Sequence, residues 1–510
     1  MAPGVTRGED TRAHAGGETD AIHEEARGRV TGMETPQTGA REVDAEASAA
    51  GCPVDHSGGA VSPAEPPRRA AVPATSLPGP RTPALAQVLK YWRRPAEFVE
   101  KCHEQYGNRF ALRIRIPPKP LYLLSDPEDI KAMFLAPVDV LHTGTGSSTI
   151  EKFTGQTGLA WLDEDEHKVR RKLLMPSMHG KALNRIEVSV DETAAQEVAD
   201  WPRGRVVPLH PLIHRLTLNV IREVIFGPVT PSRWDELLDV LTNMMLFNDR
   251  MASAMMIHKM SPFAVKVLRA IRPIGLDRFL KLRERADALI AEAVAERRAR
   301  GELGDDMLSV LLGITHEDGS PLTPVELRDE MMTIFLAGTE TTAAAITWAF
   351  EYLSREPAAL ERLVAEVDAG GDEFLTATVH EVLRLKPSIP QIIPRTVMKP
   401  IEIGGVRFEP GMLLWASAYL LHRNPELYPD PYAFKPERFL GVKPGTYTWI
   451  PFGGGVRRCL GASFALFEMK TVLQTVATEL SLRPVRPEPE LIRRRAITLT
   501  PSAGAQVVAA

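Results

Sequence analysis

One stretch near the C-terminal end carries residue types suited to metal chemistry. Residues 452–461 read Phe-Gly-Gly-Gly-Val-Arg-Arg-Cys-Leu-Gly. Cys459 stands just ahead of an apolar run, Ala462 to Leu480, whose spacing is helical. A sulfur at a helix N-terminus beside two arginines is biased toward the thiolate, because helix amides and nearby cations lower a cysteine's pKa. A thiolate is the donor that soft metal centres select. Gly453, Gly454 and Gly455 permit a tight turn that presents the sulfur. Gly461 removes a side chain where a flat group would pack close. The competing reading is an inert, buried cysteine on a glycine-rich turn.

Three other groups of residues could do work. Ala337-Gly338-Thr339-Glu340-Thr341-Thr342 falls in the middle of an apolar helical stretch. A carboxylate and three hydroxyls there are costly unless something uses them. Threonines can also simply bond back to carbonyls one turn earlier. Glu381 and Arg384 are spaced to face one side of a helix, and Arg438 follows in a proline-rich loop, Phe434 to Phe439. His167 and Arg171 share a helix face behind a run of acids, Asp163 to Glu166, that suits a helix start. Arg395 and Arg457 are further cations, and arginine binds carboxylates bidentately.

These groups need elements to position them. Thr323-Pro324-Val325-Glu326 reads as a capping box with proline in the first turn. The helix it opens should run to about Arg355 and span roughly 45 Å. Being apolar almost all round, it should cross the interior. Segments 182–199, 207–226, 232–248 and 276–300 also show helical periodicity. Ala96 to Tyr106 reads as a helix, and Arg109 to Ile116 with Leu121 to Leu124 as a hairpin. Residues 1–75 have almost no large apolar side chains and are expected to be disordered. Cys52 and His56 lie in that tail and make at most a weak metal pair. With no internal repeat and no linker after residue 80, residues 76–510 are expected to form one mainly α domain with minor β sheets.

Phe452, Gly455, Arg457, Cys459 and Gly461 match the haem-binding signature of the cytochrome P450 family, and the chain resembles its soluble bacterial members over about residues 77–510. The resemblance implies a single P450 fold, with a long central helix over haem b and Cys459 as axial iron ligand. It puts Thr341 and Glu340 in the oxygen-activation motif, managing protons beside a local helix break, with Ala337 and Gly338 leaving room over the metal. It makes His167, Arg171, Arg395 and Arg457 partners of the haem propionates, with Phe452 and Gly461 around the cysteine. Glu381, Arg384 and Arg438 become a buried charge cluster with a folding role.

The implied activity is insertion of one oxygen atom of O2 into an apolar lipid, terpenoid, steroid or macrolide-like compound. Electrons would come from a separate ferredoxin- or flavodoxin-type donor with its reductase. A basic patch of Lys168, Arg170, Lys172 and Arg458 would steer an acidic carrier. Met244, Met245, Met251, Met255, Met256 and Met260 would roof the pocket, residues 142–160 would form a mobile loop at its mouth, and Ile389, Ile392 and Ile393 would line a wall. Two alternatives stay open: a haem-thiolate enzyme without oxygen insertion (phenol coupling, isomerisation or peroxide use), and a non-catalytic haem sensor or carrier.

Composition narrows the classes. The chain has 510 residues, 44% hydrophobic, with net charge -4, so nothing points to nucleic acid. Its 3 cysteines make no disulfide framework. No apolar run approaches the roughly 18 residues of a membrane span. A cytoplasmic protein is expected.

Overall fold

The computed structural model describes residues 71–114, 120–144, 151–178, 181–255, 276–301, 304–495 and 497–510. These belong to one compact unit, Arg68–Ala510. Most of the expected tail, and with it Cys52 and His56, lies outside the described residues. The tail's last few residues are described and structured: β1 (Val72–Pro73) pairs in parallel with β8 (Val406–Phe408). This pairing runs through the backbone and needs no large apolar side chain.

The helices, in chain order, are α1 (Ala84–Arg93), α2 (Pro95–Tyr106), α3 (Pro127–Leu135), α4 (Glu151–Thr154), α5 (Glu164–Leu174), α6 (Lys181–Ala199), α7 (Leu209–Phe226) and α8 (Trp234–Met255). They continue with α9 (Leu276–Arg300), α10 (Met307–Gly313), α11 (Pro324–Leu353), α12 (Pro357–Asp368), α13 (Glu373–Leu385), α14 (Ala418–Leu421) and α15 (Ala462–Glu479). The expected hairpin is present as β2 (Arg109–Leu112) antiparallel to β3 (Leu121–Leu124). It joins a five-stranded sheet of order β2-β3-β9-β6-β4, with β4 (Leu141–His142), β6 (Arg395–Val397) and β9 (Leu413–Ala416). Two C-terminal strands, β11 (Ile492–Arg495) and β12 (Thr498–Pro501), form a separate antiparallel pair.

Helix α11 organises the core. Its capping box forms as expected: Glu326 N–H donates to Thr323 Oγ1 at 3.2 Å, and Thr323 N–H donates to Glu326 Oε2 at 2.9 Å. Residues from Leu327 to Leu353 are mostly buried on every side, so α11 crosses the interior against α7, α15 and β12. Among the described residues no helix is long and apolar enough to cross a membrane.

The expected helix break is absent: α11 runs unbroken from Pro324 to Leu353. Gly338 serves packing. A Cβ there would sit 2.5 Å from Ile221 Cδ1 of α7, so its missing side chain lets α7 and α11 approach. Gly338→Ala should gain about 1 kcal/mol of helix propensity and lose about 1–3 kcal/mol to overpacking. The expected result is a lower urea midpoint, restored by adding Ile221→Val, which shortens the clashing side chain. A Gly338→Ala protein more stable than wild type would refute this packing role.

Candidate active site

The cysteine loop is built by backbone geometry. Cys459 N–H donates to Phe452 O at 2.9 Å, closing the loop that α15 follows. Gly453 and Gly455 have φ of 67° and 65°, a region that side chains disfavour. A Cβ on Gly455 would lie 2.2 Å from the Phe134 carbonyl oxygen of α3. The expected glycine roles at this turn are therefore geometric necessities.

Cys459 combines two properties. It is accessible at its surface, yet burial pushes its thiol up, against the opposing influence of the Gly461 N–H, Arg171 and Arg458. A residue that is both deep and accessible lines an interior space. The low pKa expected from the helix terminus and arginines is thus not reached by the protein alone, because desolvation outweighs them; a bound cation would reverse the balance. A Cβ added to Gly461 would touch nothing within 4 Å, and its φ is ordinary at -89°. No protein neighbour explains a glycine there.

A second wall comes from α11. Ala337 is exposed and Thr333, Gly338 and Thr341 are half-exposed, in a helix whose neighbours Phe335, Leu336 and Thr339 are buried. Residues 333, 337 and 341 recur every fourth position, so one stripe of a core helix borders the space. Segment 388–393 touches both walls. Ser388 Oγ donates to Thr341 O at 2.7 Å, and Ile392 Cγ2 lies 3.5 Å from the Cβ position of Gly453. Ile389, Ile392 and Ile393 are half-exposed, as a lining requires.

Thr341 Oγ1 donates back to Ala337 O at 2.6 Å. Glu340 is elsewhere. Its carboxylate is buried on the flank of α11 facing α7 and β11–β12, with His214 Nε2 at 3.3 Å, Arg495 Nε at 3.3 Å, His210 Nε2 at 3.9 Å and Thr498 Oγ1 at 3.3 Å. Burial alone would raise its pKa. The His214 hydrogen bond and the Arg495 charge outweigh that and hold it at about 2, while burial lowers His210 itself to about 3. The expectation that the Glu340 carboxylate lies beside Thr341 is corrected: one residue along a helix turns the side chain by about 100°, and the opposite flank offers it His214 and Arg495.

Cations gather at the other edge. His167 is buried on α5, and burial with Arg457 and Arg171 nearby lowers its pKa to about 3. Burial also lowers Arg171, while Cys459 works against that. Arg395 is buried at 3% exposure and donates to two carbonyls, Met133 O at 2.7 Å and Gly454 O at 3.3 Å. Burial lowers its pKa to about 10, with Arg457 adding to the effect. Arg457 donates to Leu162 O and Asp163 Oδ1. One carboxylate, Asp163, thus serves this group, and among the described residues neither Arg171 nor Arg395 has a salt-bridge partner. A buried guanidinium without an anion is strongly disfavoured. The donor set therefore fits a group bearing carboxylates, close to the Cys459 loop.

Glu381, Arg384 and Arg438 meet as expected. Arg384 Nε and Nη2 donate to Glu381 at 2.7 and 2.8 Å, and Arg438 Nε donates at 3.1 Å. Sequence reasoning missed the connection onward. Arg384 Nη1 donates to His422 O at 2.8 Å, His422 Nδ1 bonds Arg384 O at 3.1 Å, and Ile450 N–H donates to His422 Nε2 at 2.8 Å. That assigns the Nδ1–H tautomer, and burial keeps the ring neutral with a pKa of about 3. Ile450 O in turn accepts Gly453 N–H at 3.0 Å, so the charge cluster holds the cysteine loop through one histidine. A lone His in Leu-Leu-His-Arg gives no sequence signal for this role.

Two other expectations change. Arg170 leaves the basic patch: it is buried and lies 3.5 Å from both Glu326 and Glu330. Lys168, Lys172 and Arg458 remain exposed. Met244 and Met245 are core residues; the side chains of Met251 and Met255, and residues Met256 and Met260, lie outside the described set. Of the expected mobile loop, residues 155–159 are tied down by Asp329 and Glu330.

Comparison with known proteins agrees with this geometry. The Cytochrome P450 family model matches residues 73–508. The proteins numbered cytochrome P450 137 and 135B1 in Mycobacterium tuberculosis are 37% and 32% identical, each over 84% of this chain and 90% of their own length. A solved structure, the retinoic acid-bound cyanobacterial CYP120A1, superposes with a TM-score of 0.72 at 22% identity, covering 83% of this chain and 96% of that one. An accessible cysteine on a glycine turn edged by cations, and a family match spanning nearly all the described residues, lead to one conclusion: the chain belongs to the cytochrome P450 family, the haem-iron monooxygenases with a cysteine thiolate as axial ligand.

Proposed function

We propose that residues 71–510 form a haem-thiolate domain in which Cys459 Sγ would bind the haem iron, and that the enzyme oxygenates an apolar small molecule. The observation that carries this is the deep yet accessible Cys459, whose loop is joined to the accessible Ala337–Thr341 stripe by segment 388–393. His167, Arg171, Arg395 and Arg457 hold the haem carboxylates; their shortage of protein anions supports this. Phe452 and Gly461 border the sulfur side, and Ala337 borders the opposite side. When bound, haem supplies reductive activation of dioxygen, with one oxygen atom going to a C–H or C=C bond and the other to water.

Thr341 Oγ1 is the hydroxyl on this wall next to segment 388–393, and its bond to Ala337 O fixes its resting orientation. Gly338 and Glu340 act through the packing of α11. Ile389, Ile392, Ile393 and Ala337 exclude water and favour a lipid-, terpenoid-, steroid- or macrolide-like substrate. Electrons come from a separate ferredoxin- or flavodoxin-type donor with its reductase. The exposed Lys168, Lys172 and Arg458 offer it a basic surface, with Val169 and Leu173 exposed between them.

The test is the reduced, carbon monoxide-treated protein. Wild type is expected to show the red-shifted Soret band of axial sulfur, and Cys459→Ala to lack it. A Cys459→Ala protein that keeps the band overturns the assignment. Turnover with a surrogate ferredoxin then examines Thr341→Ala, which is expected to consume reductant while forming peroxide in place of product.

A further inference from the structure

Segment 155–163 is held at one end by buried acids and at the other by a half-buried arginine. At one end, Asp329 Oδ2 accepts the N–H of Gln156 at 2.9 Å, the N–H of Thr157 at 3.1 Å and the Thr157 hydroxyl at 2.9 Å. Glu330 Oε2 accepts the N–H of Leu159 at 2.9 Å. Both carboxylates are nearly inaccessible, at 2% and 1% exposure. Two adjacent buried acids near the start of a core helix are costly unless each is fully used. Arg328 and Arg283 flank Asp329, and Arg170 lies 3.5 Å from Glu330.

The approach is close. A Cβ on Gly155, whose φ is 80°, would fall 2.0 Å from Asp329 Oδ1. At the other end, Leu162 O and Asp163 Oδ1 accept from Arg457 in the cysteine loop. Asp163 also accepts the N–H groups of Thr143 at 2.9 Å and Gly144 at 3.1 Å. Helix α5, which carries His167 and Arg171, begins at the next residue, Glu164.

We infer that segment 155–163 is a strap of fixed length between α11 and the cysteine loop, and that Asp329 and Glu330 are positioning residues that, through it, set where His167 and Arg171 meet the haem carboxylates. This rests on the haem reading above. An entrance loop anchored to its own helix or to solvent would be free to swing. This one is fastened to the helix on one side of the haem space and to the ligand loop on the other. Its anchors act on how firmly haem is held, with no part in the oxygen chemistry.

The test uses the full-length, haem-loaded protein with Thr157→Val, Asp329→Asn and Arg171→Gln. Three quantities are read: the rate of haem transfer to excess apomyoglobin, the rate of tryptic cleavage after Lys152, and the urea midpoint. Asp329→Asn is expected to speed haem transfer about tenfold, the worth of a hydrogen bond to a charged group, and to speed cleavage after Lys152. Thr157→Val, which removes one hydroxyl and keeps the volume, is expected to act in the same direction and decides the matter should Asp329→Asn fail to fold. The double variant Asp329→Asn/Arg171→Gln is expected to lose haem no faster than about the quicker single variant, because both act on one contact. Fully additive effects, or a wild-type transfer rate in Thr157→Val with the thiolate–CO band retained, overturn the strap. Absence of that band in wild type would instead overturn the haem reading.

Discussion

Glu381→Gln should leave little haem-loaded protein, measured as Soret absorbance per chain and as the urea midpoint of what folds. Glu381 is fully buried and accepts four hydrogen bonds: two from Arg384, one from Arg438 and one from the Lys435 N–H at 2.9 Å. Glutamine preserves the shape but removes the charge and turns an NH2 toward a guanidinium. Breaking a buried pair on one side costs about 3–5 kcal/mol, against a total stability of about 5–15 kcal/mol. The damage is directed. Arg384 anchors His422, His422 anchors Ile450, and Ile450 anchors Gly453. Haem retention should therefore fall more than secondary structure does, as far-UV circular dichroism would show. A Glu381→Gln protein with wild-type haem content and midpoint would refute the cluster's role.

Glu340→Gln should cost about 3 kcal/mol at neutral pH, from a shift of a little over two pKa units at about 1.4 kcal/mol each. The sign follows from linkage. The folded pKa, about 2, lies below the ordinary value of 4.5, so the unfolded chain binds the proton more tightly. The stabilisation is complete above about pH 4.5 and is lost as pH falls toward about 2. Urea midpoints taken across that window should fall steeply for wild type, while the contribution of position 340 vanishes in Glu340→Gln, so the two curves converge in acid. Parallel curves would show that the carboxylate is not held ionised by Arg495 and His214. Coupling of reductant to product should change little in Glu340→Gln at neutral pH, since this side chain is turned away from the Ala337–Thr341 stripe. Heavy uncoupling there would restore a direct proton-handling role.

Much of this protein was legible from local chemistry. The capping box at Thr323, the hairpin at Arg109–Leu124, the glycine turn ahead of Cys459 and the Glu381–Arg384 pair each depend on residues close in sequence or on a fixed period. Their geometry follows from backbone sterics and hydrogen bonding, which a linear reading captures. The family resemblance rested on the same short motifs, so Cys459, His167, Arg171, Arg395 and Arg457 could be named before any distance was known.

Direction and partnership were decided by the tertiary structure. That Gly338 lets a neighbouring helix approach depends on Ile221, which is more than a hundred positions away in the chain. Whether Glu340 faces Thr341's side or the opposite flank depends on His214 and Arg495, brought by α7 and β11. Arg170 reads as one more charge on a basic face until Glu326 and Glu330 are seen beside it. Nothing in the sequence near Asp329 and Glu330 shows that they accept the amides of Gln156, Thr157 and Leu159. In each case the composition of one element sets what a side chain can bond to, but burial fixes which bonds it must make. A buried charge is stable only where a distant segment supplies its counterpart.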